Sequence, residues 1–139
     1  LKLPILKQLP ILNGVLAPLA CLIPDTVGVD IGPAGGTITL GASSLVIPAH
    51  ALLKSVHILM LPGLGSTVAV QFYPEGLVFA EGASPTLTLN TDCIGNPDNS
   101  YIVYTDLFGN VKETLKTFSR TPHSVSAKIE HFSRYAVAW

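Results

Sequence analysis

The chain has 139 residues, 48% of them apolar and 12% charged, with a formal net charge of −1 at pH 7. That length suits a single domain, and so small a net charge provides no basic field for nucleic acid or anionic lipid. An average soluble domain carries about 25% charged residues, so this one is short of solvated surface, and its positive mean hydropathy implies apolar surface buried against something else: a membrane, a partner or its own copies.

Residues 1–24, LKLPILKQLPILNGVLAPLACLIP, differ from the rest. Prolines at 4, 10, 18 and 24 rule out a long helix and break up any apolar run long enough for an ordinary transmembrane helix. Short helical turns starting at Pro4 or Pro10 are compatible with proline at the first helical position; an extended arm is the alternative. Only Lys2 and Lys7 are charged. Leu3, Ile5, Leu6, Leu9, Ile11, Leu12, Val15 and Leu16 therefore need cover. They either fold back over the domain's own core or dock into a protein partner, a neighbouring copy or the membrane surface. The chain begins with Leu1 rather than Met, which points to removal of a secretory leader and an exported protein, periplasmic, cell-envelope or extracellular. Cys21 and Cys93 have no metal-ligand spacing. They are either a disulfide of an exported protein or two buried thiols, and sequence alone does not fix their separation.

From residue 25 to 139 the pattern is all-β. Runs rich in Val, Ile, Leu, Thr, Phe and Tyr alternate with Gly, Pro, Asn and Asp clusters. They predict strands over 27–31, 36–40, 44–47, 55–61, 67–73, 77–79, 86–90, 101–105, 113–119, 124–131 and 133–139. Residues 48–52 are expected to make one helical turn. No segment sustains a period of 3.6, so the expected fold is an antiparallel β-sandwich of about 9–11 short strands behind an apolar Pro-rich arm.

Three stretches, in order, resemble the ZU-five domain of ankyrins, netrin receptors and tight-junction proteins. The first is Gly35-Gly36-Thr37-Ile38-Thr39-Leu40 followed by Ser44-Leu45-Val46-Ile47-Pro48-Ala49-His50-Ala51-Leu52. The second is Val70-Gln71-Phe72-Tyr73-Pro74-Glu75-Gly76-Leu77-Val78-Phe79 with the strand Ser84-Pro85-Thr86-Leu87-Thr88-Leu89 behind it. The third is His131-Phe132-Ser133-Arg134-Tyr135, similar to the closing strand of autoproteolytic relatives and of bacterial envelope versions. Pro48-Ala49-His50 departs from the family's usual Pro-Pro-Gly or Pro-Ala-Gly. The sandwich is not followed by the domains that bind partners in ankyrin-like proteins, so spectrin binding and death-domain signalling are not expected.

The resemblance implies one catalytic option, self-cleavage between Phe132 and Ser133. The Ser133 hydroxyl would attack the Phe132 carbonyl, with His131 as base and Glu130 or Glu113 orienting the imidazole. This needs an activated hydroxyl, a strained peptide and an oxyanion donor. Alternation along a strand would set His131 and Ser133 on one face and Phe132 on the other. The plainer reading, which the sequence favours, makes Phe132 a core plug and the segment a sandwich-closing element, so no enzymatic activity is expected. His50, His57 and His123 have no metal-ligand spacing. Asp92, Asp98 and Asp106 lack the EF-hand spacing, leaving only a weak calcium option, and no cofactor is expected. Most aromatics, Tyr73, Phe79, Tyr101, Tyr104, Phe108, Phe118, Tyr135 and Trp139 among them, read as packing residues. An adhesion or ligand-binding module remains a further alternative.

Overall fold

The computed structural model describes residues 11–12, 15–16, 21, 23–63 and 68–139. Of the arm residues, Leu3, Ile5, Leu6 and Leu9 lie outside the described residues, whereas β1 (Ile11–Leu12) pairs antiparallel with β2 (Val15–Leu16). The extended alternative holds for that stretch.

The rest is all-β. The strands are β3 (Val27–Ile31), β4 (Gly36–Leu40), β5 (Ser43–Ile47), β6 (Val56–Pro62), β7 (Ala69–Tyr73), β8 (Thr86–Asn90) and β9 (Tyr101–Thr105), then β10 (Val111–Thr114), β11 (Thr117–Thr121), β12 (Ser124–Lys128) and β13 (Arg134–Ala138). They form two antiparallel sheets, β10-β9-β13-β7-β6-β3 and β11-β12-β8-β5-β4. After β3 and again after β5, β7, β8, β10 and β12 the chain crosses from one sheet to the other, which is how a sandwich buries the inner face of each sheet. The alternation is visible in β8, where Leu87 and Leu89 are buried between half-exposed Thr86, Thr88 and Asn90. Ile38, Leu45, Ile58, Met60, Phe72, Leu87, Leu89, Ile102, Val125 and Ile129 fill the space between the sheets.

Three local expectations are corrected. The run 113–119 is not one strand: β10 ends at Thr114 in one sheet and β11 starts at Thr117 in the other. Residues 77–79 contribute only an isolated bridge, Val78 to His131. Residues 48–52 make a turn rather than a helical one, with Ala51 N–H donating to the Pro48 carbonyl and His50 at φ 71°. The Gly-Gly opening has a steric cause. Gly35 has φ +77°, and a Cβ there would lie 2.4 Å from the Ile47 carbonyl oxygen.

Candidate functional site

The closing segment is where the sequence placed its only catalytic option. It is not strand: β13 begins at Arg134, and residues 129–133 carry the chain from the five-stranded sheet to the six-stranded one. Alternation therefore does not extend back to His131, and Phe132 and Ser133 are buried in succession. The backbone is clamped against the 72–77 stretch. Phe132 N–H donates to the Leu77 carbonyl at 2.8 Å, Phe72 N–H to the Ser133 carbonyl at 3.1 Å, and Gly76 N–H to the Phe132 carbonyl at 2.9 Å. Gly76 has φ +82° in the turn that Pro74 opens, closed by Leu77 N–H donating to the Pro74 carbonyl.

Phe132 is the plug. Its ring stacks on Phe72 at 4.8 Å and meets the edge of Phe79 at 5.2 Å. The Tyr135 hydroxyl donates to the His131 carbonyl four residues upstream. This is the geometry of a tyrosine corner, which fixes the crossing of a chain between two sheets. Burial pushes the Tyr135 phenol's pKa up from its ordinary value of 10. The His131 ring lies edge-on to Tyr104, 5.0 Å between centroids. Among the described residues no hydrogen bond joins it to Ser133, Glu113 or Glu130, and both Glu130 carboxylate oxygens accept from the Ser84 hydroxyl at 3.1 Å. Of the parts that self-cleavage requires, the segment supplies a donor on the Phe132 carbonyl, and the carboxylates expected to orient the imidazole are not hydrogen-bonded to it.

The second candidate lies at the root of the arm. Cys21 and Cys93 form a disulfide with Cα atoms 5.0 Å apart. Its partner loop is held by local hydrogen bonds. Cys93 sits in a 3-10 turn, Asp92–Ile94, that ends at left-handed Gly95. Asp92 N–H donates to Asn90 Oδ1 at 2.9 Å and the Thr91 hydroxyl to Asn96 Oδ1 at 2.9 Å. Asp92 also pairs with His123 Nδ1 at 2.7 Å, which holds its carboxyl below the usual aspartate range. Disulfides persist in oxidising compartments, so the bond points to export from the cytosol. Among the described residues no helix is long and apolar enough to cross a membrane.

Other exposed features complete the surface. Asp106 accepts the amides of Phe108 and Asn110 at 2.8 and 2.9 Å, the Asn110 pair being the main reason its carboxyl titrates low. That turn holds Leu107 and Phe108 in solvent, the latter 83% exposed. Phe118 and Trp139 are also exposed, so these three aromatics are not the packing residues expected. Phe118 lies under the Lys128 ammonium, 4.9 Å from its ring centre, in a groove of about 520 Å³ that Glu113, Leu115 and Glu130 also line. The groove runs between β10 and β11, whose edges carry charges and register-shifting bulges; such features deter strand addition. The opposite edges, β3 and β4, are in regular register, and β4 carries no charge. Asp92 and Asp106 are each engaged separately, and among the described residues no three His, Cys, Asp or Glu side chains are gathered for a metal. His57 pairs with Asp30 at 2.7 Å on the exposed face of β3 and β6.

No protein-family model matches the chain, and no curated protein matches it either.

Proposed function

We propose that this chain is an exported, non-enzymatic β-sandwich of ZU-five-like type that serves as a structural or accessory subunit. Its apolar N-terminal arm docks it onto a larger membrane or cell-envelope assembly, or onto neighbouring copies. The observation that carries this reading is the Cys21–Cys93 bond. It ties the arm's root to a braced loop of the sandwich, so a load on the arm passes covalently into the fold. The scarcity of charge and the regular, uncharged β4 edge support it too, since strand addition is one way an arm joins another sheet. The test compares the full chain with one beginning at Cys21, in detergent-free size exclusion and in co-purification. Loss of the oligomer or partner on truncation is expected; retention of both rules the arm out as the anchor.

The competing reading, self-cleavage, has one observation in its favour, the Gly76 N–H on the Phe132 carbonyl. Intact-mass measurement of the purified protein separates the two. A single full-length mass is expected, and fragments meeting at Phe132/Ser133 would establish cleavage.

A further inference from the structure

β4 stands at one edge of the five-stranded sheet, paired on one side only, with β5. The loop between them is just Gly41 and Ala42. A loop that short is closed by a pair that exchanges both its backbone bonds, here Leu40 with Ser43. Counting back in twos, Ile38 with Leu45 and Gly36 with Ile47 do the same. The N–H and C=O groups of Thr37 and Thr39 therefore point away from β5, to the open edge. Both threonines are exposed, and among the described residues nothing else bonds to those outward groups.

That edge is complementary to itself. An antiparallel second copy, related by a two-fold axis at Ile38, sets Thr37 opposite Thr39 of the copy and Thr39 opposite Thr37 of the copy. Each pair exchanges two bonds, so every outward group of both threonines is satisfied. On the outer face threonine meets threonine, a favourable cross-strand pair, and β4 brings no charge to be opposed. The other edges are poorer templates: β3 carries Asp30, and β10 and β11 carry charges and register shifts. We propose that two copies of this chain join antiparallel through β4, their five-stranded sheets becoming one continuous sheet across the axis. The contact goes beyond the arm, since it uses no residue before Gly36. A strand pair this short lies at the small end of specific interfaces, so the dimer is a weak one.

Backbone NMR of the full chain, from about 20 µM to about 1 mM, tests this. The Thr37 and Thr39 amides are expected to shift and to slow in hydrogen exchange as concentration rises, half-way at about 0.1 mM. Ile38 and Leu40, already bonded to β5, keep their exchange rates. In a mixture of isotope-labelled and unlabelled chains, Ile38 Hα should contact Ile38 Hα of the other copy, because the axis residues form the close, unbonded pair. Thr39→Pro removes an outward donor and no β4–β5 bond, and should weaken the dimer at least about tenfold. If that variant does not fold, T37K/T39K, which sets lysine opposite lysine, is read in the same way. Thr37 and Thr39 amides that exchange freely up to about 1 mM, or a dimer unchanged in a folded variant, overturns the proposal. So do contacts from those amides to residues 1–20 of another copy, which would give the edge to the arm. A chain beginning at Cys21 keeps this dimer while losing any docking through the arm, so either reading can fail alone.

Discussion

Removing the Cys21–Cys93 bond tests how far the arm's root is part of the fold. The two cysteines are 72 residues apart in sequence, and closing a loop of that length in the unfolded chain corresponds to about 4.4 kcal/mol at 25 °C on the chain-entropy estimate. Measured effects run lower, so the expected loss for the double variant Cys21→Ser/Cys93→Ser is about 2–4 kcal/mol. Neither cysteine belongs to the hydrophobic core, so little packing is lost with the sulfurs and the effect should come mainly from the freed unfolded chain. Urea unfolding followed by tyrosine fluorescence and by far-ultraviolet circular dichroism measures it, with the denaturant slope fitted separately for each protein. The slope should rise, because an uncrosslinked unfolded chain exposes more surface. An unfolding free energy within about 0.5 kcal/mol of wild type, well below the loop-closure expectation, would refute the reasoning and show that the bond adds nothing to the sandwich.

Phe132→Ala empties the space between Phe72 and Phe79 and should cost about 3–5 kcal/mol in the same urea assay; a loss under about 1 kcal/mol would deny it the role of plug. Gly35→Ala meets both a left-handed backbone and the Ile47 carbonyl, whereas Gly76→Ala meets only the backbone, with nothing within 4 Å. Thermal unfolding should therefore rank Gly35→Ala well below Gly76→Ala, whose loss should be about 1–2 kcal/mol, and equal losses would contradict the close approach. The raised Tyr135 pKa means that the unfolded state gives up this proton first as pH rises. Its contribution is complete below pH 10 and is lost above it, by up to about 1.4 kcal/mol per pH unit. Tyr135→Phe lowers the baseline by about 1 kcal/mol and should flatten that alkaline limb; an unchanged slope would place the effect elsewhere. At the acid end Asp92 and Asp106 are held low, so their contribution is present above the ordinary aspartate value and falls away as pH drops below it. His123→Ala should shrink that acid loss, and an unaltered acid limb would show that the Asp92–His123 pair does not contribute.

The short strands bounded by Gly, Pro, Asn or Asp were legible in the sequence. Val27–Ile31, Gly36–Leu40, Thr86–Asn90 and Tyr101–Thr105 fall where the pattern put them. Where the chain changes sheets the pattern says little, because period 2 records faces and not partners. Nothing in Glu113–Ser119 announces that Leu115 N–H will turn to the Ile102 carbonyl and start a new strand in the other sheet. The His-Phe-Ser run looked like strand for the same reason, since a crossover between two buried faces is as apolar as a strand. The cysteines were visible but their pairing was not, because it depends on how the arm enters the fold. The burial of Arg134 left no trace at all: one arginine in an alternating strand reads as a solvent-facing charge, and only the three-strand row with Gln71 and Thr105 shows it enclosed.

The position of β13 governs when this protein can exist as a folded object. It comes last in sequence among the described strands, yet it lies in the middle of its sheet, between β7 and β9. Until Arg134–Ala138 has been synthesised, β9 with β10 and β7 with β6 and β3 are two half-sheets with no shared border, and the aromatic floor around Phe72 lacks Phe132 and Tyr135. Completion of the six-stranded sheet therefore waits on β13, the strand that joins its two halves.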